Sequence, residues 1–436
     1  MNSKYLNTVF GLSMAATCAT SAMSDELTIA TVNNGHMIAM QSLVPEFLAE
    51  HPEISINWVT LPEGELREKV TQDITSGEGN YDLMTIGMYE APIWGERGWL
   101  QPLNFGASYD TDDILPAIRD GLSYNDQLFA APFYGESSMI MYRRDIIEGA
   151  GFRLEDNPSW DQIRQVAAAV TDRDSGQYGI CLRGKPGWGD NMAIITTIAN
   201  SHGAQLFNPD WTPAFDSDEW QNAIETYVDL LTNYGPPNST GNSFNEILSL
   251  MNSGNCAMWI DATIAASFVT DPDASEYASN IAFAQSPVAV TSKGANWLWA
   301  WSLAIPSTSR NSEAANTFVE WATSRAYIEL VGETLGWNAV PTGTRASTYE
   351  NQQFRNAATF DEAELQAILS ANPVDSTLNP SPYVGVQFAA IPEFATIGGI
   401  VGQAMTDALA GDITIEEALA KAQSEASAIM SEAGYY

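Results

Sequence analysis

Cationic side chains, histidines and cysteines are all scarce in this 436-residue chain. It contains 18 Lys and Arg against 54 Asp and Glu, which gives a formal net charge of −36 at pH 7. A surface of this sign repels phosphate backbones and excludes nucleic acid as a partner. The three histidines are scattered, so no metal site is predicted. The sequence also lacks a nucleophile elbow, a Walker loop and a Rossmann fingerprint, and no cofactor is expected.

Long apolar runs are missing too, because no segment reaches the roughly 18 uninterrupted apolar residues of a membrane-spanning helix. Residues 1–24 predict a signal peptide instead, with Lys4 as the positive charge and residues 9–16 as a short apolar stretch. The small-x-small pattern at 22–24 places cleavage before Asp25. Cys18 raises the alternative of a lipoprotein, although residues 15–17 are a poor match for a lipid-attachment signal. We therefore expect a soluble, exported protein.

The two cysteines that would remain after cleavage are Cys181 and Cys256. Two cysteines in an oxidising compartment usually pair, so a disulfide between them is predicted. The alternative is two separate buried thiols.

The length of the chain favours two domains, and a hydrophobic content of 45% argues against disorder. Strand patterns at 26–32, 54–59 and 81–86 alternate with helix patterns at 37–50 and 63–76. This order predicts a mostly parallel sheet with helices on both faces. Ligand loops in such sheets follow the carboxyl ends of the strands, which indicates residues 33–36 and 87–90.

Later segments continue the mixed α/β pattern. Helices are predicted near 160–170, 190–201, 217–234 and 415–431, the first and last opened by the capping-box pairs Ser159/Gln162 and Thr414/Glu417. Short strands are predicted at 178–182 and 257–261.

Trp297, Trp299 and Trp301 stand two residues apart. A spacing of two is strand periodicity, so all three rings should point to one face. Such a face is either a packed core or a wall against which a flat, partly apolar ligand stacks.

Several short segments occur in an order that is specific although each is weak. They lie at 47–54 (FLAEHPEI), 79–83 (GNYDL), 98–103 (GWLQPL), 127–132 (QLFAAP), 141–145 (MYRRD), 251–258 (MNSGNCAM) and 313–321 (EAANTFVEW). Over essentially the whole mature chain they resemble the extracellular solute-binding proteins of carbohydrate ABC importers, the family of maltose-binding protein. Within that family, 30–35 (ATVNNG), 183–188 (RGKPGW) and 257–262 (AMWIDA) look like the sorbitol/mannitol-binding subgroup.

The resemblance implies a two-lobed α/β fold, each lobe a mostly parallel sheet flanked by helices, with the ligand cleft between the lobes. Residues 25–134 and 303–340 would form the first lobe, and residues 135–302 and 341–436 the second. The protein would be a periplasmic monomer that captures a polyol and delivers it to ABC transporter permease subunits in the inner membrane.

The candidate ligand contacts implied by these positions are carboxylates, amides and aromatic rings, the groups that a neutral polyol requires. They are Asn33, Asn34, His36, Tyr89, Glu90, Glu136, Lys185, Trp188, Asp190, Asn191, Asp261, Trp297, Trp299 and Asn338. Turn formation at residues 33–34, helix capping by Asp190 and a surface salt bridge at Glu136 are the alternatives. Because the resemblance would place residues 297–301 at the entry to a hinge, Trp297 and Trp299 are expected to contact ligand and Trp301 to lie in the core, with burial of all three as the alternative.

Three other functions stay open. A mono- or oligosaccharide is the alternative ligand within the same family. A secreted glycoside hydrolase would also place carboxylates and tryptophans in a cleft, although no catalytic pair is recognisable in the sequence. A structural or adhesive surface protein is the third alternative, and the absence of repeats argues against it.

Overall fold

A computed structural model of the chain describes residues 25–436. The predicted signal peptide therefore lies outside the described residues. Within the described part of the chain, none of the helices combines the length and apolarity needed to cross a membrane.

The described residues form short strands and a larger number of helices. The strands are β1 (Asp25–Val32), β2 (Ile54–Leu61), β3 (Leu83–Ile86), β4 (Ser123–Tyr124), β5 (Gln127–Leu128), β6 (Ala130–Glu136), β7 (Ser138–Arg143), β8 (Met258–Ala262), β9 (Ile281–Gln285) and β10 (Trp299–Ala304). The helices are α1 (Gly35–Glu50), α2 (Glu63–Ser76), α3 (Glu90–Glu96), α4 (Pro116–Gly121), α5 (Arg144–Gly149), α6 (Trp160–Val170), α7 (Asn191–Ser201), α8 (Asp218–Tyr234), α9 (Phe244–Asn252), α10 (Ala265–Val269), α11 (Ser312–Ala322), α12 (Arg325–Thr334), α13 (Ala346–Glu350), α14 (Gln352–Ala357), α15 (Asp361–Ser370), α16 (Phe394–Ala410) and α17 (Ile415–Glu432).

The first lobe is built on a five-stranded sheet in the order β2-β1-β3-β10-β6. Strand β1 pairs in parallel with β2 and β3, as the alternating strand and helix patterns predict. Strand β10 enters from much later in the chain and pairs antiparallel with both β3 and β6. All four residues of β3 are buried because helices cover both faces of the sheet.

The second lobe contains a three-stranded sheet in the order β8-β7-β9. Both pairings in it are antiparallel, so the mostly parallel sheet expected for this lobe is not found. The predicted strand at 178–182 is reduced to isolated parallel bridges from Tyr178 to Cys256 and from Cys181 to Trp259. Helix α7, which is buried along its whole length, supplies much of the core here.

The chain crosses between the lobes through β6 and β10. Strand β6 ends at Glu136 and β7 begins at Ser138, so one residue separates the two sheets. Strand β10 begins at Trp299, which pairs with Glu136, and runs antiparallel to β6 until Ala304 pairs with Ala130. Residues 135–136 and 299–302 therefore belong to the first sheet, a few residues away from the expected lobe boundaries.

A third crossover between the lobes, at residues 342–343, packs against the first crossover at residues 135–136. The amide of Gly135 donates to the carbonyl of Thr342 at 2.8 Å. A Cβ on Gly343 would stand 2.0 Å from the carbonyl oxygen of Gly135, and Gly343 has a φ of +71°, so only glycine fits. Buried Glu364 supports this contact by accepting hydrogen bonds from Thr342 and Tyr349, and burial raises its pKa to about 7.

The predicted disulfide is confirmed, since Cys181 and Cys256 are bonded and both are fully buried. The bond joins the segment before α7 to the segment that leads into β8, and it closes a loop with a sequence separation of 75 residues. It therefore holds together parts of the second lobe that pair only through isolated bridges.

Replacing both cysteines by alanine should lower the free energy of unfolding by about 4 kcal/mol, because the unfolded chain would regain the entropy of the open loop. Denaturant unfolding of the wild type and the double variant measures this difference. Unfolding of the wild type in a reducing agent is the matched control and should show a similar loss. Equal stability of all three samples would contradict the expectation.

Candidate functional site

A cavity of about 110 Å³ lies between the two lobes. The first lobe contributes the end of β1, the first turns of α2, and strands β6 and β10, whereas the second lobe contributes residues 183–190 and the start of α9. Pockets for drug-sized ligands measure roughly 300–1,000 Å³, so this volume suits a small solute.

Nine of the fourteen predicted site residues line this cavity. They are Asn33, Asn34, His36, Glu136, Lys185, Trp188, Asp190, Trp297 and Trp299. Their convergence from positions up to 266 residues apart supports the position of the cleft that the sequence indicates. Their contact with a ligand stays a prediction.

The other five predicted residues do not line the cavity, and their polar groups bind protein atoms. Glu90 and Asp261 accept from arginines, and Tyr89 contacts the second lobe. Asn191 binds Gly402 and Thr406 of α16. Asn338 donates to the carbonyl of Ser267 at 3.1 Å.

Arg67 is the centre of the first lobe's contribution, and the sequence analysis missed it. Its guanidinium carbon lies 4.1 Å from the ring centre of Trp188 and 4.7 Å from those of Trp299 and Trp301. Its Nη1 donates to Glu90 at 2.9 Å and its Nη2 to Glu63 at 3.1 Å. The guanidinium therefore lies over tryptophan rings on which the sequence pattern predicts a ligand to stack. Cation–π attraction favours this contact.

Trp297, Trp299 and Trp301 all line the cavity, and each is at most 4% exposed. Trp301, which was expected in the core, is thus both buried and part of the cleft wall. Strand β10 begins only at Trp299, so Trp297 reaches the cavity from the segment before the strand.

Arg183 and Asp261 form the corresponding charged pair of the second lobe. Arg183 Nη2 lies 2.6 Å from Asp261 Oδ1, and its Nε lies 2.9 Å from Oδ2. Asp261 also accepts from the indole of Trp259 and from the amide of Ala262, so its oxygens are fully occupied. Asp261 therefore orients Arg183, whose guanidinium faces the cavity.

Several polar groups of the lining residues have no hydrogen-bond partner among the described residues. They are His36 Nε2, Arg67 Nε, Trp299 Nε1 and the carboxyl group of Glu136. Burial lowers the pKa of His36 to about 4, so its ring is neutral at pH 7. Burial raises the pKa of Glu136 well above its ordinary value, and the nearby Arg183 opposes that rise. Unpaired buried polar groups are costly unless a ligand or water pairs with them.

Asn34 and Asp190 both stand at the N-cap position of a helix and both line the cavity. Asn34 caps α1 by accepting from the amide of Met37 at 2.9 Å, and it donates to the hydroxyl of Tyr134. Asp190 occupies the N-cap position of α7, but its side chain does not cap the helix. It accepts instead from the hydroxyl of Ser243, which also lines the cavity.

The lining residues missed by the sequence analysis carried signals that can be recognised afterwards. Glu63 and Arg67 stand four residues apart at the start of α2, directly after a parallel strand, where the carboxyl-end rule also applies. Arg183 lies within the segment that resembles the polyol-binding subgroup. Phe244 and Phe268 had no such signal. No group of side chains suited to holding a metal ion occurs between residues 25 and 436.

Two lobes around one small, charged and aromatic cleft define a solute-binding protein. The family of bacterial extracellular solute-binding proteins matches residues 34–329. The mannitol-binding protein of Pseudomonas aeruginosa is 49% identical over 94% of each chain. The chain belongs to the family of bacterial extracellular solute-binding proteins.

Known structures agree with this assignment. An ABC transporter solute-binding protein from Agrobacterium vitis with bound D-mannitol has a TM-score of 0.93 and 50% identity, and the match covers 94% of this chain and 99% of that one. A ribitol complex from Agrobacterium radiobacter has a TM-score of 0.81 at 23% identity, over 93% and 98% of the two chains, and supports the fold alone.

Replacing Asp261 by asparagine should destabilise the ligand-free protein by about 3–5 kcal/mol, because it leaves the buried Arg183 without its counter-charge. Denaturant unfolding measures the loss. Asp161→Asn is the matched control, since Asp161 pairs with Arg164 on the surface and should change stability by about 1 kcal/mol or less. A stable Asp261→Asn variant that merely binds ligand less tightly would contradict this structural role.

Proposed function

We propose that this chain binds an open-chain C5 or C6 polyol of the mannitol and sorbitol type in the cleft and delivers it to the permease of an ABC importer. The periplasm would be its compartment, and it would act as a monomer. Similarity to a mannitol-binding protein over nearly the whole chain supports the ligand class. The observation that carries the proposal is the set of unpaired donors and one unpaired carboxyl group around a small cavity.

The chemistry of these groups matches a polyol. Each hydroxyl of a polyol donates once and accepts twice, so it can pair with a carboxyl oxygen and with N–H donors at the same time. Arg67 Nε and Trp299 Nε1 would supply donors from the first lobe, and Glu136 would accept. Arg67 covers the faces of Trp299 and Trp301, which leaves less room for a flat pyranose ring and favours a narrow chain.

Binding without hydrolysis is the better supported activity. A glycoside hydrolase needs two free carboxyl groups, one as acid and one as base or nucleophile. Among the carboxylates that line the cavity, Glu63 binds Arg67, and Asp190 and Glu246 bind Ser243. Glu136 is the remaining one.

Calorimetric titration with mannitol, sorbitol, arabitol, xylitol, glucose and maltose tests the ligand class. We expect micromolar or tighter binding of at least one C5 or C6 polyol, because a site that pairs every hydroxyl of one shape leaves polar groups unpaired with another. Glucose or maltose binding more tightly than every polyol would overturn the polyol proposal and leave the family assignment standing.

Replacing Glu136 by glutamine should weaken polyol binding roughly tenfold to hundredfold, since the ligand loses a charged or proton-sharing acceptor in a buried site. Titration of the variant measures the change, and its unfolding transition should match that of the wild type. Glu68→Gln serves as the control, because Glu68 is exposed on the same helix as Arg67. Unchanged affinity in the Glu136 variant would remove this residue from the site.

A further inference from the structure

Tyr89 belongs to the first lobe but places its hydroxyl in the second. It stands between β3 and α3. Its hydroxyl oxygen lies 3.1 Å from the carbonyl oxygens of both Ile391 and Pro392, either of which can accept its proton. The same oxygen accepts from the amide of Ala395 at 3.3 Å. The hydroxyl is thus paired both as donor and as acceptor across the cleft.

The amide of Ala395 is one of the free N–H groups at the start of α16. The first N–H groups of a helix have no partner within it and usually bind a capping side chain. The N-cap residue of α16 is Glu393, and its side chain makes no capping bond. Tyr89 therefore provides a capping acceptor for α16 from the opposite lobe.

The ring of Tyr89 packs on the same lobe as its hydroxyl. Its centre lies 4.9 Å from that of Trp188, 5.8 Å from that of Phe388 and 6.3 Å from that of Phe394. The residue is 6% exposed and does not line the ligand cavity. Burial raises the pKa of Tyr89, so its hydroxyl keeps its proton at neutral pH.

We infer that Tyr89 is an interlobe latch, a positioning residue that stabilises the closed arrangement of the lobes without touching the ligand. The inference rests on the proposed function, because it concerns how the same cleft retains its solute. Its three hydrogen-bond partners and three ring contacts all lie in the second lobe, so opening of the cleft breaks them. A group that contributes only to one of two states shifts the equilibrium between them.

This role has a consequence that distinguishes it from ligand contact. The apparent dissociation constant of a ligand rises when the binding-competent state is less populated, and by the same factor for every ligand. Loss of the latch should therefore weaken all ligands equally and leave their ranking unchanged.

Tyr89→Phe removes the hydroxyl and keeps the ring. We expect a roughly two- to thirtyfold weaker affinity for mannitol and the same factor for sorbitol, the range that loss of a capping interaction spans. The unfolding temperature of the ligand-free protein should stay unchanged. If Tyr89 only stabilised the fold, the variant would unfold at a lower temperature. Tyr124→Phe is the matched control, because its hydroxyl binds Glu96 within the first lobe.

Ala395→Pro tests the same contact from the second lobe by removing the N–H group, and proline is tolerated in the first turn of a helix. It should reproduce the uniform loss. Unchanged affinity in both variants, or a loss confined to one ligand, would overturn the latch. Titration with glucose and maltose separates the two proposals. If the wild type binds a sugar instead of a polyol, the polyol assignment is refuted. The latch still predicts that each variant weakens every bound ligand by the same factor.

Discussion

Charge compensation behind the walls of the cleft is the constraint on which the site depends. Arg67 and Arg183 are nearly buried, and a buried guanidinium without a counter-charge costs several kcal/mol. Glu90 and Asp261 meet that requirement from positions outside the cavity. These carboxylates hold the two cations in place, and Arg67 Nε is left without a partner among the described residues. Glu136 can then stay unpaired in the same cavity.

The strands that cross between the lobes also form part of the site. Strand β10 pairs with β6 at the first crossover and carries Trp299 and Trp301 into the cavity wall. Gly135 and Gly343 meet backbone to backbone at the third crossover, where no side chain could fit. The crossover between the lobes and the cavity wall therefore share residues. Trp188 adds to that wall from the second lobe.

Local patterns in the sequence predicted much of the fold but less of the site. Periodicity and capping residues identified β1, α2, α6 and α17 within a few residues, because these elements depend on their own sequence. The antiparallel pairing of β7 with β8 and β9 depends on segments more than 100 residues apart, which periodicity does not reveal. The same applies to the site. The strand-end rule indicated His36, and the family resemblance implied Glu136. The arginines that pair with Glu90 and Asp261, by contrast, come from distant elements.

The position of Trp188 gives the chain an intrinsic optical signal. Its ring centre lies 5.8 Å from that of Trp299, yet the two indoles belong to different lobes. Chromophores at such a separation exchange excitation energy and respond to any charge placed between them, here the guanidinium of Arg67. Separation of the lobes would end that coupling and expose Trp188 to water. Among the 13 tryptophans of the chain, Trp188 and Trp299 are thus a pair whose fluorescence would respond to a change in the distance between the lobes.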